Sequence, residues 1–178
     1  AGNLIWQGDF QAISNWQQAS SGGGKGGGPS GCFPASTAIR TSLTDPTCIR
    51  YIETLKAGDT IVGFDNDANL QETTIVEVFV HEEHPTLEIL FQNRRPLWTT
   101  SEHGFLLTDG TFGSIATGFH GENLVDDDGS SLIVTGYRPR TDETVYTFRC
   151  EPWATFIADG VMVHNDDGGS GGKVSTTY

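Results

Sequence analysis

The stretch between residues 32 and 165 is a succession of short β-type segments separated by turn residues. Valine, isoleucine, threonine and aromatic residues dominate these segments, and such residues are favoured in strands. Helical periodicity is nearly absent, and only residues 49–57 are compatible with a short helical turn. The pattern therefore predicts an all-β domain. Its predicted strands are 60–62, 73–80, 87–91, 97–100, 105–107, 132–135, 145–150, 155–158 and 161–164.

Two Asp-Gly pairs predict tight turns between neighbouring strands. Asp109-Gly110 follows the apolar run 105–107, and Asp159-Gly160 separates the last two predicted strands. These last two strands are therefore expected to pair as a hairpin.

Glycine-rich stretches border this domain on both sides. Seven of the ten residues 22–31 are glycine, and residues 166–178 are glycine-rich as well. Such composition is typical of flexible linkers. We predict an N-terminal flank of residues 1–31, a domain of residues 32–165 and a C-terminal flank of residues 166–178. The flanks are too short to form a core, which suggests a domain inserted into a glycine-rich loop of a host protein.

Composition excludes several classes of function. The net charge of -13 argues against binding to nucleic acids or anionic membranes, which require a basic surface. No run of about 18 apolar residues predicts a membrane span, and no secretory signal is apparent. Three widely spaced cysteines do not form a disulfide framework and suit a reducing cytoplasm.

One short segment offers metal ligands. His81-Glu82-Glu83-His84 has imidazole and carboxylate groups in close succession, but no third partner is evident elsewhere. We interpret it as the polar end of a strand and predict no metal site and no cofactor.

Cys32 is a candidate nucleophile at the start of the domain. Its thiol can attack the carbonyl of Gly31 and move the acyl group from nitrogen to sulfur, which produces a thioester. Gly31 presents no side chain to obstruct that approach. The reaction needs a base, a proton donor for the departing amine and groups that stabilise the oxyanion. Thr100 and His103, in the segment Thr100-Ser101-Glu102-His103, are candidates to face the Gly31 carbonyl.

Asn165 is a second candidate centre at the other end of the domain. Its side-chain amide can attack its own carbonyl, which forms a succinimide and releases Asp166 as a new N-terminus. This reaction requires a side chain held in attack geometry and a polarised carbonyl. His164 is the natural proton donor beside it. Ordinary deamidation is the alternative fate of such an asparagine.

Four segments in order resemble the sequence blocks of the Hint domain, the fold of inteins, bacterial intein-like domains and Hedgehog autoprocessing domains. They are residues 32–37 (CFPAST), 55–61 (LKAGDTI), 99–110 (TTSEHGFLLTDG) and 145–165. The resemblance implies a horseshoe-shaped fold with pseudo-twofold symmetry and both termini at one central site. It implies a minimal domain without an endonuclease insert.

The resemblance also implies roles for particular residues. Cys32 would be the nucleophile, Thr100 and His103 would activate the Gly31–Cys32 bond, and His164 would assist cyclisation of Asn165. The chain departs from the family at three positions. Thr147 stands where the family usually has Asp, Ala154 where it usually has His, and Asp166 where splicing members have Cys, Ser or Thr.

Asp166 affects the expected product most. A carboxylate is a poor acyl acceptor because its product is a reactive anhydride, so the thioester is expected to meet water or another nucleophile. We therefore predict cis-acting cleavage at Gly31–Cys32 and at Asn165–Asp166 rather than ligation. Splicing through an atypical acceptor and an inactive structural module are the alternatives.

Cys150 has two interpretations. It could replace a missing residue of the family pattern as an accessory group, together with Thr147. In a regular strand, however, these two side chains point to opposite faces, which favours a core position for Cys150. Cys48 and His120 receive no role from the sequence.

The flanks resemble the N-terminal region of a tailed-phage tail-tip or baseplate protein. Residues 2–10 (GNLIWQGDF) and 173–178 (KVSTTY) carry this likeness. It implies a monomeric precursor in a bacterial cytoplasm during phage assembly, whose substrate is its own chain.

Overall fold

A computed structural model describes residues 31–165 and confirms the all-β prediction for this part of the chain. A single short 3-10 turn, Ile52–Thr54, interrupts the described strands. The described strands are β1 Phe33–Pro34, β2 Ala38–Arg40, β3 Ile49–Tyr51, β4 Thr60–Phe64, β5 Leu70–Phe91, β6 Leu97–Thr99, β7 Gly104–Leu106, β8 Phe112–Gly113, β9 Leu124–Val125, β10 Ser131–Leu132, β11 Val134–Glu151, β12 Thr155–Ala158 and β13 Val161–His164.

The described strands form two main antiparallel sheets and one small hairpin. One sheet has the order β1-β11-β5-β4, with β6 also paired to β5. The other has the order β3-β2-β12-β13-β7-β8, and β9 pairs with β10. The chain leaves the first sheet after β11 and enters the second at β12, so residues from both sheets line the space between them.

The long strands β5 and β11 differ from the sequence prediction. Each was predicted as two short strands, 73–80 with 87–91 and 132–135 with 145–150, but each is continuous. They pair with one another from Val134↔Phe91 to Glu151↔Thr74, with several register shifts. The middle of this ribbon is largely exposed. Polar residues there carry no hydrophobic signal, so only the long-range pairing reveals the strand.

Both predicted Asp-Gly turns are present. Asp159 and Gly160 have φ of 51° and 81°, which is the geometry of a two-residue hairpin turn, and they join β12 to β13. Gly110 has φ of 89° in the turn between β7 and β8. The predicted helical turn at 49–57 is half right, since β3 occupies its first residues and the 3-10 turn follows.

The core is aromatic at its centre. Phe33, Phe105, Phe148 and Phe156 are fully buried, and edge-to-face contacts join them. These four residues come from four different strands of the two sheets, so the core that holds the sheets together also surrounds the start of β1. No helix in the described part is long and apolar enough to cross a bilayer.

Candidate active site

The two ends of the described chain enter one buried region. Cys32 precedes β1, and Phe33 and Pro34 of β1 pair with Tyr146 and Val145 of β11. Extending this antiparallel register by one residue places Cys32 opposite Thr147. The Thr147 hydroxyl in turn donates a hydrogen bond to Oδ1 of Asn165 at 3.2 Å. A single residue of β11 thus lies between the two predicted reaction centres.

Thr100 makes two hydrogen bonds with the backbone of Cys32. The N–H of Cys32 donates to Oγ1 of Thr100 at 3.0 Å, and the N–H of Thr100 donates to the carbonyl of Cys32 at 3.1 Å. The Thr100 hydroxyl thus contacts the Cys32 nitrogen, which is the atom that would leave in an acyl shift. The predicted orientation of this hydroxyl towards the Gly31 carbonyl stays a prediction. A hydroxyl at this place can supply a proton to that nitrogen.

The Cys32 thiol is buried, with 2 % of the residue exposed. Burial raises the pKa of Cys32 well above its ordinary value, and the nearby carboxylate of Glu102 raises this pKa further. The resting thiol therefore keeps its proton at neutral pH. A nucleophilic attack by Cys32 needs a base that removes the proton during the reaction.

His103 lies against the residue before Cys32. A Cβ atom placed on Gly31 would overlap Cα of His103 and would lie 2.7 and 2.8 Å from Cγ and Cβ of His103. The His103 ring stacks at a tilt on Phe33, with centroids 4.3 Å apart. It also contacts Phe105 and Phe156. The imidazole is therefore enclosed by aromatic rings and by the Gly31 backbone.

This enclosure sets the protonation state of His103. Burial lowers the pKa of His103 from 6.5 to about 3; the hydrogen bond with the Gly104 carbonyl opposes this change, and nearby His164 adds to it. Nδ1 lies 3.3 Å from that carbonyl oxygen, which assigns the ring proton to Nδ1. Nε2 is buried without a hydrogen-bond partner among the described residues. The neutral ring thus offers Nε2 as a proton acceptor.

His164 is the last residue of β13 and lies between β7 and β12. It pairs with Gly104 on one side and with Thr155 on the other. Its ring packs on Phe112, with centroids 4.6 Å apart. Because Gly104 follows His103 directly, the pairing of β13 with β7 brings the two histidines to the same part of the site.

Asn165 is buried, with 1 % of the residue exposed. Its backbone N–H donates to the carbonyl of Ala154 at 2.7 Å, which extends the β12–β13 hairpin by one residue. Its carboxamide is fixed at one end by Thr147. The Nδ2 atom at the other end is buried and makes no hydrogen bond of normal geometry with a described group. The nucleophilic atom of a cyclisation is therefore at the end of the carboxamide that Thr147 does not hold.

Cys150 lies beside the same carboxamide. Burial raises the pKa of Cys150 to about 12, while the adjacent Asn165 amide acts in the opposite direction. Cys150 also belongs to the hydrophobic core, as the sequence predicted. No sequence pattern predicts that this core position would contact Asn165. That contact arises because β13 returns the end of the domain to the end of β11.

Two polar residues of the site were missed by the sequence analysis. Glu102 acts on the Cys32 thiol through its charge, and Ser101 is fully buried with no hydrogen-bond partner for Oγ among the described residues. Both lie between Thr100 and His103, at positions where the family pattern accepts any residue. Only the folded structure distinguishes them, Ser101 by its burial and Glu102 by the closeness of its charge to Cys32.

The other residues considered as ligands remain outside this site. His81 and His84 lie on the exposed ribbon with ring centroids 6.4 Å apart. No group of three or more His, Cys, Asp or Glu side chains within residues 31–165 is arranged to hold a metal ion. Asp166 and the residues with the phage-protein resemblance fall outside the described part of the chain.

The fold is similar to those of solved inteins and of an intein-like domain. No family model and no curated protein sequence matches the chain. Among solved structures, it is similar to a bacterial intein-like domain from Clostridium thermocellum, with 28% identity, a TM-score of 0.65 and coverage of 75% of this chain and 98% of that chain.

Two inteins have the same fold at lower identity. The DnaB intein of Synechocystis sp. PCC 6803 matches with 18% identity and a TM-score of 0.66, and covers 76% of this chain and 99% of its own. The gp41-1 intein matches with 17% identity and a TM-score of 0.63 over 76% of this chain and 99% of its own. The described residues therefore adopt the Hint fold, as the sequence motifs predicted.

Proposed function

We propose that this chain is a cis-acting self-processing domain that breaks two of its own peptide bonds, Gly31–Cys32 and Asn165–Asp166. The observation that carries the proposal is the hydrogen bond between Thr147 and Asn165, since Thr147 is also the residue opposite Cys32. Both proposed reactive residues are also buried, Cys32 directly before β1 and Asn165 directly after β13. The likeness to a bacterial intein-like domain supports the same function.

The N-terminal step begins with the protonated Cys32 thiol. Nε2 of neutral His103 accepts the thiol proton as Sγ attacks the carbonyl carbon of Gly31. The bond between that carbon and the Cys32 nitrogen then breaks, and the nitrogen receives a proton through the Thr100 hydroxyl or His103. The product is a thioester between Gly31 and Cys32 with a free amine on Cys32. Water then converts the thioester into a Gly31 carboxylate and regenerates the thiol.

The C-terminal step is cyclisation of Asn165. Nδ2 attacks the backbone carbonyl carbon of the same residue, the bond to the nitrogen of Asp166 breaks, and a proton from Nδ2 ends on that nitrogen. His164 assists the transfer. Thr147 and Cys150 act as positioning residues, because they contact the carboxamide. Thr147 stands at the family's usual Asp position, whereas the usual His position is occupied by Ala154. The products are a succinimide at residue 165 and a new N-terminus at Asp166.

Asp166 favours cleavage over ligation. Transfer of the thioester to a carboxylate would form an anhydride, which water reverses, so residues 1–31 and 166–178 are released separately. We place this reaction in a bacterial cytoplasm, with the chain acting as a monomer on itself and without a cofactor.

The test is intact-mass analysis of freshly purified protein during incubation at neutral pH. We expect fragments 1–31, 32–165 and 166–178 from the wild type. Cys32→Ala removes only the first cut, Asn165→Ala removes only the second, and hydroxylamine accelerates the first by trapping the thioester. A wild-type chain that stays as intact as the double variant makes the domain an inactive structural module. A dominant species joining residues 1–31 to 166–178 establishes splicing through an atypical acceptor.

A further inference from the structure

Two buried threonine side chains anchor the segment 153–155, where the chain passes from the first sheet to the second. Oγ1 of Thr73, in β5, donates to the carbonyl of Trp153 at 2.8 Å and accepts from the N–H of the same residue at 3.2 Å. Oγ1 of Thr155, in β12, donates to the carbonyl of Phe64 at 2.7 Å and accepts from its N–H at 2.7 Å. Each hydroxyl thus satisfies both backbone groups of one residue, as a neighbouring strand would do. We call these two pairs of hydrogen bonds the threonine clasps.

The backbone of β4 lies directly against this segment. A Cβ atom on Gly63 would overlap the carbonyl oxygen of Thr155 and would lie 2.8 Å from its Oγ1. Thr73 and Thr155 are 1 % and 2 % exposed, so water cannot replace either clasp in the folded domain. The position of the segment 153–155 is therefore set by the first sheet.

The residue between the two clasps binds the backbone of Asn165. The Ala154 carbonyl accepts a hydrogen bond from the N–H of Asn165 at 2.7 Å, and the next residue, Thr155, pairs with His164. The methyl side chain of Ala154 can neither donate nor accept a proton, so this residue acts on Asn165 through its carbonyl alone. The clasps thus connect the backbone of Asn165 to β4 and β5.

From this arrangement we infer that Thr73 and Thr155 are positioning residues for cleavage of the C-terminal bond. They hold the segment 153–155, and this segment holds the backbone of Asn165, while Thr147 holds its carboxamide. Cyclisation requires Nδ2 to meet the carbonyl carbon of the same residue, so the backbone and the side chain must both be fixed. The inference rests on the proposed function and adds two residues that act on Asn165 through its neighbours.

The test compares Thr73→Val and Thr155→Val, which keep the branched shape without the hydroxyl, with Thr73→Ser and Thr155→Ser, which keep the hydroxyl. Intact-mass time courses follow the two cuts separately. Because a misplacement of about 1 Å can slow a reaction about 100-fold, we expect the loss of one clasp to slow the C-terminal cut on the order of 10-fold. The N-terminal cut should change much less, which shows that the variants are folded. The serine variants should cut both bonds at nearly the wild-type rate.

Thr74→Val is the matched control for Thr73→Val. It makes the same substitution at the next residue of β5, whose side chain points to the opposite face of the strand. This variant should match the wild type at both bonds.

A second measurement does not depend on cleavage. In the background Cys32→Ala with Asn165→Ala, residue 165 keeps its backbone N–H, and amide hydrogen exchange reports its bond to Ala154. We expect both valine substitutions to speed exchange at residue 165 several-fold. Exchange at residue 32, whose N–H is bonded to Thr100, should change much less and reports the stability of the rest of the site.

The inference is overturned if exchange at residue 165 does not change relative to residue 32. It is also overturned if valine and serine variants of a cleaving protein cut the C-terminal bond at equal rates, or if the valine variants slow both cuts alike. A wild type that does not cleave refutes the proposed function, while amide exchange still decides whether the clasps fix the backbone of residue 165.

Discussion

The least expected residue of the site is Thr147. It replaces the usual carboxylate of the family with a neutral hydroxyl, yet it contacts Asn165 directly and lies opposite Cys32. A hydroxyl cannot take up a proton as a carboxylate can, so its contribution is orientation. By donating a hydrogen bond to Oδ1, the Thr147 hydroxyl holds the Asn165 carboxamide in one orientation, with Nδ2 at the end away from Thr147.

Replacing Thr147 with Val tests this role, because Val keeps the shape and removes the hydroxyl. Oδ1 of Asn165 would then be buried without its donor, which costs about 1–3 kcal/mol. We expect cleavage at Asn165–Asp166 to slow about tenfold. Thr147→Ser, which restores the donor, should recover most of the rate in the same mass-spectrometric time course. Equal rates for the Val and Ser variants would assign Thr147 to packing alone.

At the scale of elements, the hairpin of β12 and β13 delivers His164 and Asn165 to the site. Its turn depends on Asp159, whose φ of 51° is unfavourable for most residues. The Asp159 carboxylate compensates by accepting a hydrogen bond from the N–H of Ala38 at 2.9 Å, which ties the turn to β2. The positions of His164 and Asn165 are thus coupled to β2.

Asp159→Ala should destabilise the domain by about 1–3 kcal/mol, because it removes the acceptor for Ala38 and leaves a residue that tolerates positive φ poorly. Asp159→Asn keeps an acceptor oxygen and the tolerance for this backbone conformation, so it should cost less. Urea unfolding in the background Cys32→Ala with Asn165→Ala provides the comparison without cleavage. Equal stability of the Ala variant and its parent would contradict the role of this turn.

The exposed middle of the ribbon formed by β5 and β11 explains why each of these strands was predicted as two short ones. β5 and β11 cross the exposed middle of their ribbon through segments such as His81-Glu82-Glu83-His84, which carry no alternation of polar and apolar residues. Pairing between the two strands satisfies the backbone there, and no core is required. Sequence patterns report burial, so they detected only the ends of these strands.

At the scale of the whole molecule, the aromatic core encloses His103, the ionisable residue that the proposed N-terminal cleavage requires as a base. His103 is surrounded by aromatic side chains from β1, β7 and β12, and its pKa falls from 6.5 to about 3. The unfolded chain binds a proton on this ring below about pH 6.5, whereas the folded chain excludes it until about pH 3. The stability that the neutral ring contributes is therefore complete above pH 6.5 and is lost as the pH falls.

The low pKa of His103 in the folded chain predicts that this residue makes the domain less stable as the pH falls. Between pH 6 and 4, the cleavage-deficient parent should lose about 1 kcal/mol per pH unit more than the same protein with His103→Gln. Urea unfolding at several pH values measures both curves, and their difference removes the contribution of the many carboxylates. An NMR titration of His103 gives the pKa directly. Parallel stability curves, or a His103 pKa near 6.5, would contradict the buried neutral ring.

The sequence by itself determined the strand-rich composition, the Asp-Gly turns and the residue types able to break their own peptide bonds. These properties are local, because strand propensity, turn conformation and nucleophilicity belong to single residues or short segments. The order of the motifs was sufficient to predict the Hint fold. The sequence could not predict that Cys150 contacts Asn165, that Glu102 acts on Cys32 or that Gly31 packs on His103.

Those contacts were decided by the tertiary structure alone. Cys32 and Thr100 are 68 residues apart, and they meet only because the two sheets enclose one aromatic core. Burial then changes the chemistry of the same side chains, since removal from water raises the pKa of Cys32 and lowers that of His103. The proposed nucleophile and the proposed base are thus residue types that the sequence supplies, in protonation states and at positions that only the closed fold imposes.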